Sequence, residues 1–168
     1  MHRLTTIDVN VAGEPLRVIT AGFTEPIGST ILEKLNSCRT HLDHLRRILT
    51  WEPRGHRDMY GCMLVSSSTQ EADVGVLFFH NEGYSTMCGH GIIGLTTVML
   101  ENGLFPMKEP TTTICFETPS GLVKASASIK ERKVQSVSFI NVPSFVVDFD
   151  KLVDIPGIGS IKYDLAFG

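Results

Sequence analysis

Asn81-Glu82-Gly83-Tyr84-Ser85-Thr86-Met87-Cys88-Gly89-His90-Gly91-Ile92-Ile93-Gly94-Leu95-Thr96-Thr97-Val98-Met99-Leu100-Glu101-Asn102-Gly103 decides how the rest of the 168-residue chain is read. Between Glu82 and Glu101 it holds no Asp, Glu, Lys or Arg. After His90 it is apolar on every side rather than along one stripe, which marks a buried helix. Asn102-Gly103 supplies the expected C-terminal stop. The stretch therefore reads as a buried central helix whose N-terminus carries Cys88.

Outward from this helix the chain is mostly strand. Ile7, Val9 and Val11 alternate with Asp8 and Asn10, Gly13-Glu14-Pro15 turns the chain, and residues 16–21 form the partner strand. Thr30-Ile31-Leu32-Glu33 has capping-box spacing. Ile31, Leu35, Cys38, Leu42, Leu45 and Leu49 then form one stripe of a single amphipathic helix. Cys38, His41 and His44 invite a metal reading, but Cys38 lies on the apolar stripe, the histidines flank it, and the spacing fits no zinc pattern. Residues 51–58 are a charged loop, read as structural. Residues 60–66, 73–80, 111–118, 123–129 and 134–142 read as strands, with turns at Pro119-Ser120-Gly121 and Glu131-Arg132. Val146-Val147 and Ile161-Lys162-Tyr163 suggest short edge strands. The pattern is α+β: a sheet wrapped around one buried helix.

The helix start has chemical consequences. Its unpaired N–H groups and the macrodipole favour a thiolate at Cys88, so a lowered thiol pKa is expected. The N–H groups of Gly89 and His90 can hold a carboxylate. A thiolate beside such a cradle suits removal of an α-proton from an amino acid. On spacing alone, Cys88 as a buried structural cysteine stays open.

Met87-Cys88-Gly89-His90-Gly91 resembles the first cysteine motif of the proline racemase family, which includes proline racemase, 4-hydroxyproline epimerase and trans-3-hydroxy-L-proline dehydratase. Gly13-Glu14-Pro15-Leu16-Arg17, residues 52–61 and Thr118-Pro119-Ser120-Gly121 agree in the same order. The family usually has His-Thr where this chain has Asn10-Val11. The resemblance implies one lobe of the two-lobed proline racemase and diaminopimelate epimerase-like fold, a β-barrel-like sheet around a central helix, with the active site between lobes. Residues 1–168 would be the N-terminal lobe. The second lobe, with its Cys-Gly-Thr or Thr-Gly-Thr motif, is absent from this sequence, so the chain alone is expected to be poorly active.

The resemblance also implies roles. Cys88 moves the α-proton of proline or hydroxyproline, Gly89 and His90 bind the carboxylate, and the His90 side chain meets the ring nitrogen. Tyr60 is the pocket aromatic and Ser85 faces the substrate ring. Residues 81–90 most resemble the dehydratase branch, with racemase and epimerase as alternatives. No metal or cofactor is implied, and no pyridoxal-type lysine or phosphate loop is visible.

Two other classes remain. A cysteine hydrolase needs a histidine against the thiol, and His90 is read as badly placed for it. A non-catalytic lobe would bind a ligand or pair with itself through an exposed apolar face. Net charge is −3, with 42% hydrophobic and 20% charged residues, giving no case for nucleic acid or an anionic membrane. The N-terminus lacks a signal-peptide core, so the four cysteines are expected as reduced thiols of a cytoplasmic protein, with a homodimer possible as an assembly.

Overall fold

Strand alternation sets the frame. The computed structural model describes residues 3–167. In it β1 (Thr5–Val11) pairs antiparallel with β2 (Glu14–Ala21). The turn is Ala12-Gly13, both at positive φ (52° and 106°), so it falls just before the expected Gly13-Glu14-Pro15. Asn10 Oδ1 accepts from Gly13 N at 2.9 Å and holds it.

Thr30 caps α1 (Ile31–Ser37): its side chain accepts from Glu33 N, and the Glu33 carboxylate accepts from Thr30 N. The single helix expected from the stripe is divided. A π-helical turn at Cys38–Leu42 separates α1 from α2 (Asp43–Thr50). The wider turn shifts the phase of α2, so Arg46 and Thr50 join Leu45 and Leu49 on its buried side. Cys38 stays in the core, and His41 and His44 face solvent.

The sheet continues with β3 (Tyr60–Val65), β4 (Val74–His80), the short β5 (Tyr84–Ser85), β6 (Thr111–Thr118), β7 (Gly121–Lys130) and β8 (Lys133–Ile140). Its order is β1-β2-β3-β4-β6-β7-β8, with β5 paired to β4. The β2–β3 and β4–β6 pairs are parallel and the others antiparallel. The central helix α3 (Gly89–Glu101) touches β1 and β2 at one end of the sheet and β7 and β8 at the other. The sheet is thus a mixed half-barrel curled around α3.

Strand β4 is buried on both faces, which explains its unbroken apolar run. Val76 and Phe78 join Leu16, Leu95 and Phe116 around α3, while Leu77 and Phe79 join Ile19, Leu35 and Leu49 under α1 and α2. Helix α3 stops at Gly103, in the left-handed region at φ 70°. There Leu104 N donates to Met99 O at 2.8 Å and Gly103 N to Leu100 O at 3.3 Å, closing a Schellman motif.

The C-terminal expectation is corrected. Instead of short edge strands, β9 (Phe145–Ile155) and β10 (Gly159–Phe167) form a long two-stranded ribbon outside the main sheet. Its apolar residues, among them Phe149, Leu152 and Leu165, are exposed. They cover no core in this chain, so the period-2 pattern of a half-buried strand is missing from the sequence. Among the described residues, no helix is long and apolar enough to cross a membrane.

Candidate active site

Cys88 is the N-cap of α3, with extended backbone (φ −148°, ψ 115°) and its Sγ accepting from Gly91 N at 3.3 Å. It is 8% exposed. The approach depends on Gly91: a Cβ there would stand 2.5 Å from Phe78 Cε1 and 3.1 Å from Cys88 Sγ. The N–H groups of Gly89 and His90, in the first turn, have no intrahelical acceptor. A Cβ on Gly89 would meet Phe139 Cζ at 3.1 Å, so the phenyl ring of β8 walls that side.

Tyr60 opens β3 directly across from His80 on β4, and the two rings stack at 5.8 Å. The Tyr60 ring also meets His90 edge-on at 5.0 Å. Its hydroxyl is hydrogen-bonded to Ser85 Oγ. Ser85 is placed by β5, a short strand the sequence did not reveal. Tyr60, Ser85, Cys88, Gly89 and His90 are therefore gathered around one thiol. Arg54, His56 and Asp58 are in their loop, with Arg54 and Asp58 exposed, and Cys38, Cys62 and Cys115 lie in the π-turn, β3 and β6.

Two expectations are corrected. Cys88 does not have a depressed pKa: burial pushes the thiol above its ordinary value. Donors from Gly91, Tyr60 and His90 oppose this without overcoming it, and the Glu14 charge adds to the rise. Burial likewise pushes Tyr60 up. The second correction is His90, whose Nδ1 lies 3.3 Å and Nε2 3.9 Å from Cys88 Sγ. Both ring nitrogens thus lie on the sulfur side. Among the described residues no third side chain hydrogen-bonds the imidazole, so the orienting partner of a hydrolase pair is missing.

Sequence reasoning missed Phe139, although the alternation of Val137 and Phe139 along β8 could have pointed inward. It also missed Arg46, which the stripe assigned to solvent. A surface groove lined by Arg17, Leu45, Leu49 and Arg54 among others does not include Cys88. Among the described residues no group of His, Cys, Asp and Glu side chains is gathered to hold a metal ion.

Comparison with known proteins bears on the family and the fold. The chain is 50% identical over 164 residues to the trans-3-hydroxy-L-proline dehydratase of Bacillus thuringiensis subsp. konkukian, covering 98% of this chain and 49% of that protein. It is 46% identical over 169 residues to the human trans-3-hydroxy-L-proline dehydratase, covering 98% of this chain and 48% of that protein. The structure of a hydroxyproline epimerase from Agrobacterium vitis with bound trans-4-hydroxy-L-proline superposes with a TM-score of 0.88 at 32% identity, covering 97% of this chain and 48% of that one. The chain thus spans about half the length of the relatives it matches. The proline racemase family model matches residues 6–168, and the chain belongs to the proline racemase family.

Proposed function

We propose that this chain is the N-terminal lobe of a trans-3-hydroxy-L-proline dehydratase in which Cys88 is the base. One observation carries the reading: the thiol caps the first turn of α3, His90 lies against it, and the Tyr60 ring, bonded to Ser85, packs on His90. The substrate carboxylate lies on the N–H groups of Gly89 and His90, which also stabilise it as it becomes enolate-like. The Cys88 thiolate takes the α-proton. The C–H electron pair becomes the bond between the α- and β-carbons, the C3–O bond breaks, and the departing hydroxide takes up the proton that Cys88 removed and leaves as water, restoring the thiolate. The resulting enamine tautomerises to the cyclic imine. The His90 imidazole meets the ring nitrogen, and Ser85 faces the hydroxylated ring.

Burial raises the Cys88 thiol pKa. It lowers the thiolate population but makes each thiolate a stronger base, as a carbon acid requires. Identities of 50% and 46% to dehydratases, against 32% to the epimerase, favour dehydration. Epimerisation of 4-hydroxyproline is the second reading, favoured by the bound ligand of the Agrobacterium vitis structure. Proline racemisation is its close relative, and both need a second acid opposite Cys88.

The exposed apolar residues of β9 and β10 support a second lobe packed beside this one. A self-associating lobe without turnover is the contrasting reading, revealed by a concentration-dependent dimer. Four free thiols fit a reducing cytoplasm.

Proton NMR of the full-length polypeptide in D2O tests the reaction. Loss of trans-3-hydroxy-L-proline to a cyclic imine, with L-proline unchanged, is the expected result. Exchange of the α-proton of proline or 4-hydroxyproline instead turns the reading to racemase or epimerase. No change in any tube removes Cys88 as the base.

A further inference from the structure

The β4–β5 turn that launches the cysteine loop is held from outside by α2. Arg46, at the centre of this contact, is 6% exposed. Its Nε and Nη2 donate to the Asp43 carboxylate at 2.6 and 3.1 Å. Its Nη1 donates to the carbonyl of His80 at 2.9 Å and to that of Asn81. Trp51 Nε1 donates to the same Asn81 carbonyl at 2.9 Å. The Asn81 amide returns two bonds, to Thr50 O at 2.7 Å and His56 O at 2.9 Å. His80 N donates to Gly83 O at 2.8 Å, closing the turn into β5. Both ends of this turn reach Tyr60: His80 stacks on its ring, and Ser85 bonds its hydroxyl.

We propose that Arg46 is a positioning residue for the Cys88 chemistry. Its guanidinium fork fixes the β4–β5 turn, the turn fixes His80 and Ser85, and these hold the Tyr60 ring against His90, whose Nδ1 lies 3.3 Å from the sulfur. The inference rests on Cys88 being the reacting group. Lysine cannot replace the fork: one ammonium can keep the Asp43 pair but cannot span a carboxylate and two carbonyls in a plane.

The test is a double-mutant cycle on this chain. Alkylation of Cys88 by iodoacetamide, in which the thiolate displaces iodide, is followed by peptide mass mapping at pH 8, and the urea midpoint is measured alongside. Tyr60→Phe is expected to slow alkylation about threefold, because the Ser85 hydrogen bond that sets the ring against His90 is lost. Arg46→Lys is expected to slow it similarly, and the double variant no more than the slower single. Trp51→Phe, at an exposed position, removes another donor to the Asn81 carbonyl and is expected to couple to Tyr60→Phe in the same sense, even where Arg46→Lys fails to fold. Asp43→Asn, which leaves the fork on the carbonyls, is expected to alkylate at the parent rate. A parent rate in Arg46→Lys, or slowing in either double variant by the product of its singles, overturns the proposal. So does a slowed Asp43→Asn, since the ion pair would then be the active part. No substrate enters the assay, so its outcome is separate from the NMR result on the reaction.

Discussion

Cys88 caps α3 and, in the proposed function, is also the base, and a pair of substitutions separates the two roles. As N-cap it accepts the Gly91 N–H at 3.3 Å from an extended backbone, the geometry in which Ser is among the best caps. Cys88→Ser keeps an acceptor at that place and removes the thiol. Cys88→Ala removes both. Ser over Ala at an N-cap contributes about 1 kcal/mol. For a chain of this length that corresponds to about 2–4 °C in melting temperature. Thermal melts of the two variants are therefore expected to differ by this amount, with Ser the higher, while neither is labelled at position 88 nor supports α-proton loss in the full-length enzyme. Equal melting temperatures, or Ala the higher, refute the capping account. Proton loss surviving in Cys88→Ser refutes the base. Because burial raises the parent thiol, its labelling at neutral pH should lag a free cysteine and climb as pH passes the ordinary thiol value of about 9. Fast, flat labelling below neutrality contradicts the burial argument.

Three further perturbations test the surrounding structure. Gly94→Ala should destabilise by about 1 kcal/mol in urea titrations despite the better helix former, because its Cβ would meet Val11 Cγ2 at 2.9 Å and Leu16 Cδ2 at 3.0 Å; a gain in stability refutes that contact. Glu25 is pushed up by burial, but its bonds to Lys34 and Ser66 outweigh this and hold its carboxyl below the ordinary 4.5. Folded Glu25 thus binds a proton less readily than unfolded, so its contribution is complete above pH 4.5 and is lost as pH falls through the folded value. Glu25→Gln should lower the urea midpoint at pH 7, where it leaves the Lys34 amine without its carboxylate, and should flatten the acid decline. An unchanged acid slope refutes the assignment. Phe149→Asp with Leu152→Asp, both exposed on β9, should leave the melting temperature nearly unchanged and reduce self-association in sedimentation runs; association unaffected by the charges removes the ribbon as the contact face.

Much of the frame was legible because simple periods carried it. The unbroken apolar run of α3, the Thr30–Glu33 box and the alternation of Val123, Ala125, Ala127 and Ile129 each report one local rule, and the structure obeys them. What could not be read involves competition between rules. The stripe from Ile31 to Leu49 fits a plain helix, yet a π-turn shifts its phase and buries Arg46, whose partners lie far away in sequence. The Cys88 pKa fails for the same reason. Position at a helix start was visible, but the depth of the surrounding core, which reverses the sign, was not.

The segments that carried the family resemblance also explain how a thiol in a buried core can be held so closely. Arg17 donates to the Asp8 carboxylate at 2.8 and 2.7 Å, to Leu49 O at 2.7 Å and to Arg54 O at 2.6 Å, tying residues 13–17 to the C-terminal end of α2 and to residues 52–61. Asn81 grips that same loop at His56 O, and Ser120 N donates to Thr86 O at 3.2 Å, two residues before the cysteine. Arg54, His56 and Asp58 of the charged loop have exposed side chains, while their segment serves through main-chain carbonyls. These segments therefore contribute in two different ways. In the proposed function residues 85–91, with Tyr60, supply the groups at the site, while Arg17, the carbonyls of Arg54 and His56, and Ser120 N hold the backbone around them. A substitution in the second class that preserves the main chain should leave Cys88 untouched, which is why Asp58 is expected to tolerate Asn while Arg17 is not expected to tolerate Met.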